Sequence, residues 1–316
     1  MFEGKSIAVV VPCYNEAEQV AGVLETMPDY VDCVIAVDDA STDGTADVVR
    51  RHIASEGAEP RTVLVVLPSN QGVGAAILAG YKEAAKRKID VTAVMAGDGQ
   101  MDPKQLRLLI APVAAGRTDY AKANRLYYRQ AWASTPRTRY LGNAFLSMLT
   151  KIASGYWHVA DSQTGFTAVS LEALETIDLD GLYPRYGYPN DMLVRLNVYN
   201  FRVTDVPIRP VYNVGEQSKM RLTKVVPTMS WMIIKRFFWR LWRKYVIYDF
   251  HPLVLFYAAS MFLGVVGVGL FARMIYWRIT HGMFPPMSTM AWIFCCISSM
   301  QLGLFAMWFD MEMNKD

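Results

Sequence analysis

Asp98, Gln100 and Asp102 stand two residues apart in "GDGQMDP", directly after an apolar run that ends at Ala96. Hard oxygen donors at this spacing suit Mg2+ or Mn2+, which take one or two carboxylates and complete their shells with phosphate oxygens. Asp98 and Gln100 are the expected metal ligands. Asp102 precedes Pro103 and reads as a helix N-cap, with proline at the first helical position. A second acidic pair, Asp38 and Asp39 in "AVDDASTDGT", closes another apolar run. Adjacent residues of a strand face opposite sides, so one carboxylate can turn into a cleft and accept from a ribose hydroxyl or a base N–H. Asp43 reads as a helix N-cap. "SNQGVGAAILAG" (69–80) opens a helix with glycines, where backbone amides favour phosphate. Gly72 and Gly74 supply a G-x-G, but Ile77 stands where a dinucleotide fingerprint needs its third glycine.

Such residues act together only if the fold brings them to one rim. "SIAVVV" (6–11), "CVIAV" (33–37), "TVLVVL" (62–67) and "VTAVMA" are short β-branched runs, suited to strands buried on both faces of a parallel sheet. Helical patterns lie between them at Glu16–Met27, Asp43–Ser55 and Val73–Lys88. This alternation predicts an open, mostly parallel, twisted α/β sheet with right-handed crossovers. Ligands of such sheets bind at the carboxyl ends of the strands. "PCYNE", "DDASTDGT", "PSNQGVG" and "GDGQMDP" each follow one of the four runs, so all four reach the same rim.

The C-terminal part has another character. Leu253–Trp277 carries one charge, Arg273, and Met287–Phe309 carries none. Each is long enough to cross a hydrocarbon core of roughly 30 Å at ~1.5 Å per residue, and the short "RITHGMFPP" between them predicts a helical hairpin. Lys219, Arg221, Lys224, Lys235, Arg236, Arg240, Arg243 and Lys244 precede the hairpin, whereas its turn offers Arg278 and His281. The positive-inside rule then places residues 1–252 and the C-terminal tail in the cytoplasm. Within 227–248, Trp231, Ile234, Phe238 and Trp242 recur at helical spacing among Lys235, Arg236, Arg240 and Arg243. That pattern suits a helix lying among lipid headgroups.

Composition bounds the alternatives. The chain has 316 residues, a formal charge of +3 and 53% hydrophobic residues, the excess falling after about residue 228. The charge is too small to indicate a nucleic-acid partner. Cys13, Cys33, Cys295 and Cys296 form no C-x-x-C pair, which argues against a zinc site and against a disulfide framework. The N-terminus lacks the layout of a signal peptide.

Taken together, the four rim motifs resemble those of the family 2 glycosyltransferases with a GT-A fold, and among them the polyprenyl-phosphate glycosyltransferases of the dolichyl-phosphate mannose or glucose synthase type. The resemblance covers roughly residues 5–250, and the terminal hairpin fits the membrane-anchored subset. It implies a GT-A-type cytosolic domain over 1–226, amphipathic juxtamembrane helices over 227–250, and a two-helix transmembrane hairpin over 251–316. "PCYNE" matches the first-strand nucleotide motif and implies Pro12, Tyr14 and Glu16 as nucleotide contacts. "VDDAST" implies Asp39 as the base or ribose contact, with Asn70 and Gly72 of the glycine-rich loop beside the nucleotide. "GDGQ" sits on the D-x-D-x-Q metal motif, with Ala96 in place of its first aspartate. Asp98 is then both metal ligand and catalytic group, with Asp161 and Arg139 as the other catalytic candidates. On the acceptor side the resemblance places Arg125 and Arg139 at the lipid phosphate, with Asn143 one helical turn beyond Arg139. Arginine gives bidentate phosphate contacts that lysine cannot. "DSQTGF" (161–166) matches the acceptor-side strand and makes Asp161 and Gln163 sugar or acceptor contacts, with Asp191 a further candidate. "GEQSKMR" matches a loop in which Ser218, Lys219 and Arg221 could close over phosphates.

The implied reaction moves a sugar from a nucleotide sugar, UDP-linked in preference to GDP-mannose, to a polyprenyl phosphate, with inversion at the anomeric carbon. The phosphate nucleophile is ionised at neutral pH, so positioning and neutralisation of the leaving diphosphate dominate over base catalysis. Expected partners are the nucleotide sugar, the polyprenyl phosphate and the membrane, with self-association open and nucleic acid excluded. The nearest rival is a glycosyltransferase with a sugar-hydroxyl or diacylglycerol acceptor. A processive synthase would need more than two spans. A nicotinamide-dependent oxidoreductase fails at Ile77, and a non-catalytic membrane scaffold would not need four rim motifs.

Overall fold

The computed structural model describes residues 1–127, 137–209 and 222–315. It comprises two compact units, Met1–Phe237 and Phe238–Asp316. The first holds a seven-stranded sheet of β1 (Ile7–Cys13), β2 (Cys33–Asp38), β3 (Thr62–Val66), β4 (Val91–Val94), β5 (Tyr120–Asn124), β6 (Thr167–Ser170) and β7 (Val203–Pro207), in the order β3-β2-β1-β4-β6-β5-β7. Strands β1 to β4 are mutually parallel. β6 runs antiparallel between β4 and β5, and β5 pairs parallel with β7. β5 therefore points the same way as β4, and both end at one rim. The register fixes their levels, because Thr167 of β6 faces Val94 on one side and Lys122 on the other.

Every residue of β1 and β2 is buried, as expected for β-branched runs covered on both faces. Val9 and Val11 pack in one cluster with Leu106, Leu109 and Ile110, while Ala8 and Val10 pack in the other with Ile77 and Tyr81. Each such valine, leucine or isoleucine contributes ~1.5–3 kcal/mol relative to leaving it in water. Two helices start later than their sequence patterns. The first covers Val20–Glu25 rather than Glu16–Met27, because the amides of Asn15, Glu16 and Ala17 donate sideways to Ser41 Oγ, Thr45 Oγ1 and Asp43 Oδ2. The second begins at Thr45, with Gly44 rather than Asp43 at the N-cap position. Asp43 still accepts from the Thr45 amide at 3.0 Å and ties it to Ala17. Asp102 caps its helix as read, accepting from the Lys104 amide at 2.9 Å.

In the second unit, helices Leu253–His281 and Pro286–Met313 form an antiparallel pair. Both are long and apolar enough to cross a membrane. Small residues set their contact: Ser260 and Ser299 each donate to the other's carbonyl at 2.8 Å, and Gly264 and Gly303 lie beside those hydroxyls. The amphipathic segment is helical over Leu222–Trp242 and continues as a π-helical turn, Arg243–Tyr248. Trp231, Ile234, Phe238 and Trp242 are exposed, as the helical spacing predicts. The interleaved bases divide. Lys235 is exposed, but Arg236 pairs with Asp191. Arg240 is fully buried, gripping Asp310 through two hydrogen bonds of 2.9 and 2.7 Å. Arg240 is thus a structural ion-pair partner and not a headgroup contact.

Candidate functional site

The rim reached by β1, β2 and β4, where the nucleotide is expected, is built from loops stitched to one another. Asn15 adopts a left-handed conformation (φ 56°), and its Oδ1 accepts from the Thr42 amide at 2.9 Å. Together with the Asp43–Ala17 bond, this fixes the loop after β1 against the loop after β2. Tyr14 is exposed beside buried Pro12 and Cys13, and Glu16 is half-buried. Gly97 has an evident steric reason. A Cβ there would lie 2.9 Å from Cys13 Sγ, so the end of β4 can seat against β1 only as glycine. Burial, reinforced by the charges of Asp38, Glu16 and Asp98, pushes the Cys13 thiol far above its usual range.

Asp38 and Asp39 are both buried. Asp38 accepts from the Ser41 amide, and Asp39 takes the amides of Gln71 and Gly72, one on each oxygen, at 2.8 Å. Asp39 therefore shapes the glycine-rich loop. The phosphate reading of that loop changes accordingly. The Ala75 amide, at the start of the helix, donates to Pro184 O at 2.9 Å. A Cβ on Gly72 or Gly74 would approach Pro184 O to 2.9 Å. The glycines serve close approach of the 183–185 backbone, and three of the amides expected to cradle phosphate are already engaged. Asn70 is exposed at the tip of the loop.

Asp98 lies just past β4, half-buried, and the amide of Gln100 donates to it at 3.0 Å. Burial pushes its carboxyl above the usual range, only partly opposed by the hydrogen bond from Gln100. Gln100 is exposed. Among the described residues no cluster of three His, Cys, Asp or Glu forms a complete cage. A single desolvated carboxylate two residues from an exposed glutamine fits a hard cation that would draw its remaining ligands from a diphosphate and water.

The residues expected to meet the acceptor stand two strands away, ~10 Å at the usual strand spacing. Arg125, directly after β5, meets Asp161 through Nε at 2.8 Å and a terminal nitrogen at 3.2 Å. The carboxylate is 4% exposed and the guanidinium 39%, so the pair presents its cationic end outward. Burial works against the Asp161 charge, yet Arg125 and then Lys122 hold its carboxyl below the usual range. Sequence reading missed Lys122. It lies on β5 with no solvent exposure and donates to Thr164 O. Burial lowers its amine to about 8, against the opposing pull of Asp161 and Asp205. Asp205, on β7, accepts from Asn124 Nδ2 at 3.0 Å and from the Ala160 amide at 2.7 Å. Two cations and two carboxylates therefore share this buried end of the sheet.

"DSQTGF" is a loop, with strand β6 beginning only at Thr167. Gln163 donates to Ser162 Oγ at 2.8 Å and to Asn190 Oδ1 at 3.2 Å, and Thr150 joins the same Asn190 oxygen. Gln163 thus braces the acceptor loop against helices Arg137–Ser154 and Tyr188–Val198. Asp191 is fully buried, 2.7 Å from Arg236 and 3.5 Å from Arg195, and accepts from the Tyr183 amide at 2.8 Å. Burial raises its carboxyl against both arginines. This placement makes it a structural clamp between the two arginines. Asn143 is half-buried on the helix that carries Arg139. The Arg139 side chain lies outside the described set, as do Ser218, Lys219 and Arg221.

The model of the family described as "Glycosyl transferase family 2" matches residues 8–178. The UDP-N-acetylglucosamine–dolichyl-phosphate N-acetylglucosaminyltransferase of Methanococcus voltae is 27% identical over 232 residues, covering 70% of this chain and 91% of that one. The undecaprenyl-phosphate mannosyltransferase of Micrococcus luteus is 30% identical over 217 residues, covering 68% and 87%. Among solved structures, glucosyl-3-phosphoglycerate synthase from Mycobacterium tuberculosis in complex with Mn2+, UDP and phosphoglyceric acid superposes with a TM-score of 0.55 at 20% identity, covering 75% of this chain and 78% of that one. The same synthase with Mg2+ and UDP gives 0.55 at 21% identity. These structural likenesses are of fold.

Proposed function

The chain belongs to glycosyl transferase family 2, and from that premise we propose that it transfers a sugar from a UDP-sugar to the phosphate of a polyprenyl lipid, with inversion. The observation that carries the acceptor is the Arg125–Asp161 pair, fixed at the end of β5 on the same rim as Asp98. A guanidinium held from behind by a buried carboxylate keeps its outer edge turned to an anion. In this reading Tyr14, Glu16 and Asp39 hold the nucleotide beside Asn70 and Gly72. Arg125, Arg139 and Asn143 hold the acceptor phosphate, and Ser218, Lys219 and Arg221 close over it. Asp98 and Gln100 would hold Mg2+ or Mn2+, which when bound neutralises the leaving diphosphate.

Attack is by an acceptor phosphate oxygen on the anomeric carbon, with departure of UDP from the opposite face. The nucleophile needs no deprotonation, and Asp161, held ionised by two cations, is suited to positioning rather than to accepting a proton. A hydroxyl acceptor would call for a base with its carboxylate at hand. The two apolar helices anchor the protein in the membrane, with residues 1–252 on the cytosolic side, where nucleotide sugars are made. Nucleoside diphosphate release is to be followed for a panel of UDP- and GDP-sugars with a short polyprenyl phosphate, the matching free polyprenol and diacylglycerol. Release dependent on the lipid phosphate is expected. Equal turnover of the free polyprenol or of diacylglycerol would overturn the acceptor.

A further inference from the structure

The helix Arg137–Ser154, on which Arg139 and Asn143 stand, buries Leu146, Ser147 and Thr150. Its other face exposes Phe145 (46%) and Met148 (52%), three residues apart and so on one stripe. Within the first unit the helix Leu222–Trp242 repeats the arrangement. Met229, Met232 and Ile233 are buried, and Trp231 and Ile234 are exposed. The two helices share a support. Thr150 donates to Asn190 on helix Tyr188–Val198, and Met232 packs against Gly187 at the start of that helix. They also touch each other, since a Cβ on Gly142 would meet Val226 at 3.7 Å. Helices side by side on one support, with their buried faces toward it, turn their exposed stripes to the same outer side.

We propose that helix Arg137–Ser154 docks on the bilayer surface through Phe145 and Met148, so that the catalytic unit makes a membrane contact of its own beside Trp231 and Ile234. The inference rests on the membrane reading given above. Four large apolar side chains on one outer side exceed the scattered exposure usual for a soluble surface. Their chemistry selects lipid over a protein partner. Trp231 carries the Lys235 ammonium 5.3 Å above its ring, and Lys151 lies on the neighbouring helix. Aromatic rings interleaved with bases match the boundary between acyl chains and anionic headgroups. The consequence for the reaction is geometric. Docking this helix holds the acceptor-phosphate residues at the depth where a polyprenyl phosphate headgroup lies.

The test uses the full chain with Cys296→Ser, reconstituted in phosphatidylcholine/phosphatidylglycerol nanodiscs. Nitroxide labels are placed at Phe145→Cys or Met148→Cys, at Val265→Cys in the hairpin, and at exposed Glu59→Cys. Accessibility to oxygen and to a water-soluble nickel chelate is then read by paramagnetic resonance. Positions 145 and 148 should favour oxygen over the chelate, like 265 and unlike 59. If 145 and 148 match 59 while 265 remains lipid-like, the docking inference is wrong and the anchor stands. A water-like 265 would remove the anchor reading and this inference with it.

Discussion

Asp161→Asn separates the two roles a carboxylate could play beside the acceptor. The substitution keeps the shape of the side chain and one acceptor oxygen for Arg125, but removes the charge that two guanidinium nitrogens now meet at 2.8 and 3.2 Å. A hydrogen bond to a charged group contributes ~1.5–3 kcal/mol. Here the loss is smaller, because the guanidinium is 39% exposed and can turn to water. A cost of ~1–2 kcal/mol corresponds to a factor of ~5–30. The effect should appear in the KM for the lipid acceptor, measured by titrating polyprenyl phosphate, with UDP affinity by calorimetry unchanged. Loss of a general base would instead lower kcat by ~100- to 10,000-fold. The pH profile gives a second discriminator. Burial is outweighed by Arg125 and Lys122, so the Asp161 carboxyl titrates below its usual range. Its stabilising contribution is then complete above ~3.9 and is lost only as pH falls through the lower folded-state value. It should give no acidic limb between pH 5 and 8. A collapse of kcat in a folded Asp161→Asn enzyme, or an acidic limb that vanishes with the substitution, would refute the positioning role.

Asp98→Ala should abolish turnover with little loss of thermal stability, because burial already works against the charge it removes; wild-type-like rates in that variant, with or without EDTA, would remove Asp98 from the reaction. Lys122, flanked by Asp161, Asp205 and Arg125 and lowered to about 8, should give kcat/KM an alkaline limb near pH 8 that Lys122→Met lacks. Between about 8 and the ordinary ~10.4 the unfolded chain holds a proton the native chain has released, so stability should rise with pH there even as activity falls. An unchanged limb in Lys122→Met would assign it elsewhere. For topology, an impermeant thiol reagent should reach Met283→Cys in intact cells and not Lys315→Cys; Asn314 is unsuitable as a probe because it hydrogen-bonds to Lys244, Tyr245 and Asp310. The reverse labelling would place the catalytic unit on the outer face.

The loops after β1 to β4 could be read from sequence because their signals are local. β1 to β4 announce themselves as uninterrupted β-branched runs, and each is followed at once by its polar loop. Parallel strands then bring those loops together without further information. What local pattern could not supply was the second chain segment each loop meets. Gly72 and Gly74 look like a phosphate cradle until Pro184 closes over them from more than a hundred residues away. The first helix looked longer because nothing in "NEA" reveals that those amides turn to Ser41, Asp43 and Thr45.

The Arg125–Asp161 region depends on charges paired across long separations, and there residue type misleads. In "YAKAN" a lysine on a short strand suggests an edge exposed to water. β5 instead lies between β6 and β7, and the register that sets Lys122 opposite Thr167 turns it into the sheet end shared by Asp161 and Asp205. A buried amine is tolerable only because those carboxylates are there, and Arg125 can stay charged beside it for the same reason. The two cations and two anions thus form one electrostatic unit contributed by β5, β7 and the loop before β6. Removing one charged member shifts the titration of the lysine and carboxylates that remain. Arg125, directly after β5, carries positive charge from that unit to the rim. A single exposed arginine would be an unremarkable surface feature; one fixed by Asp161, itself balanced by Lys122, is held in place before any phosphate arrives, so its orientation need not be gained at the expense of acceptor binding.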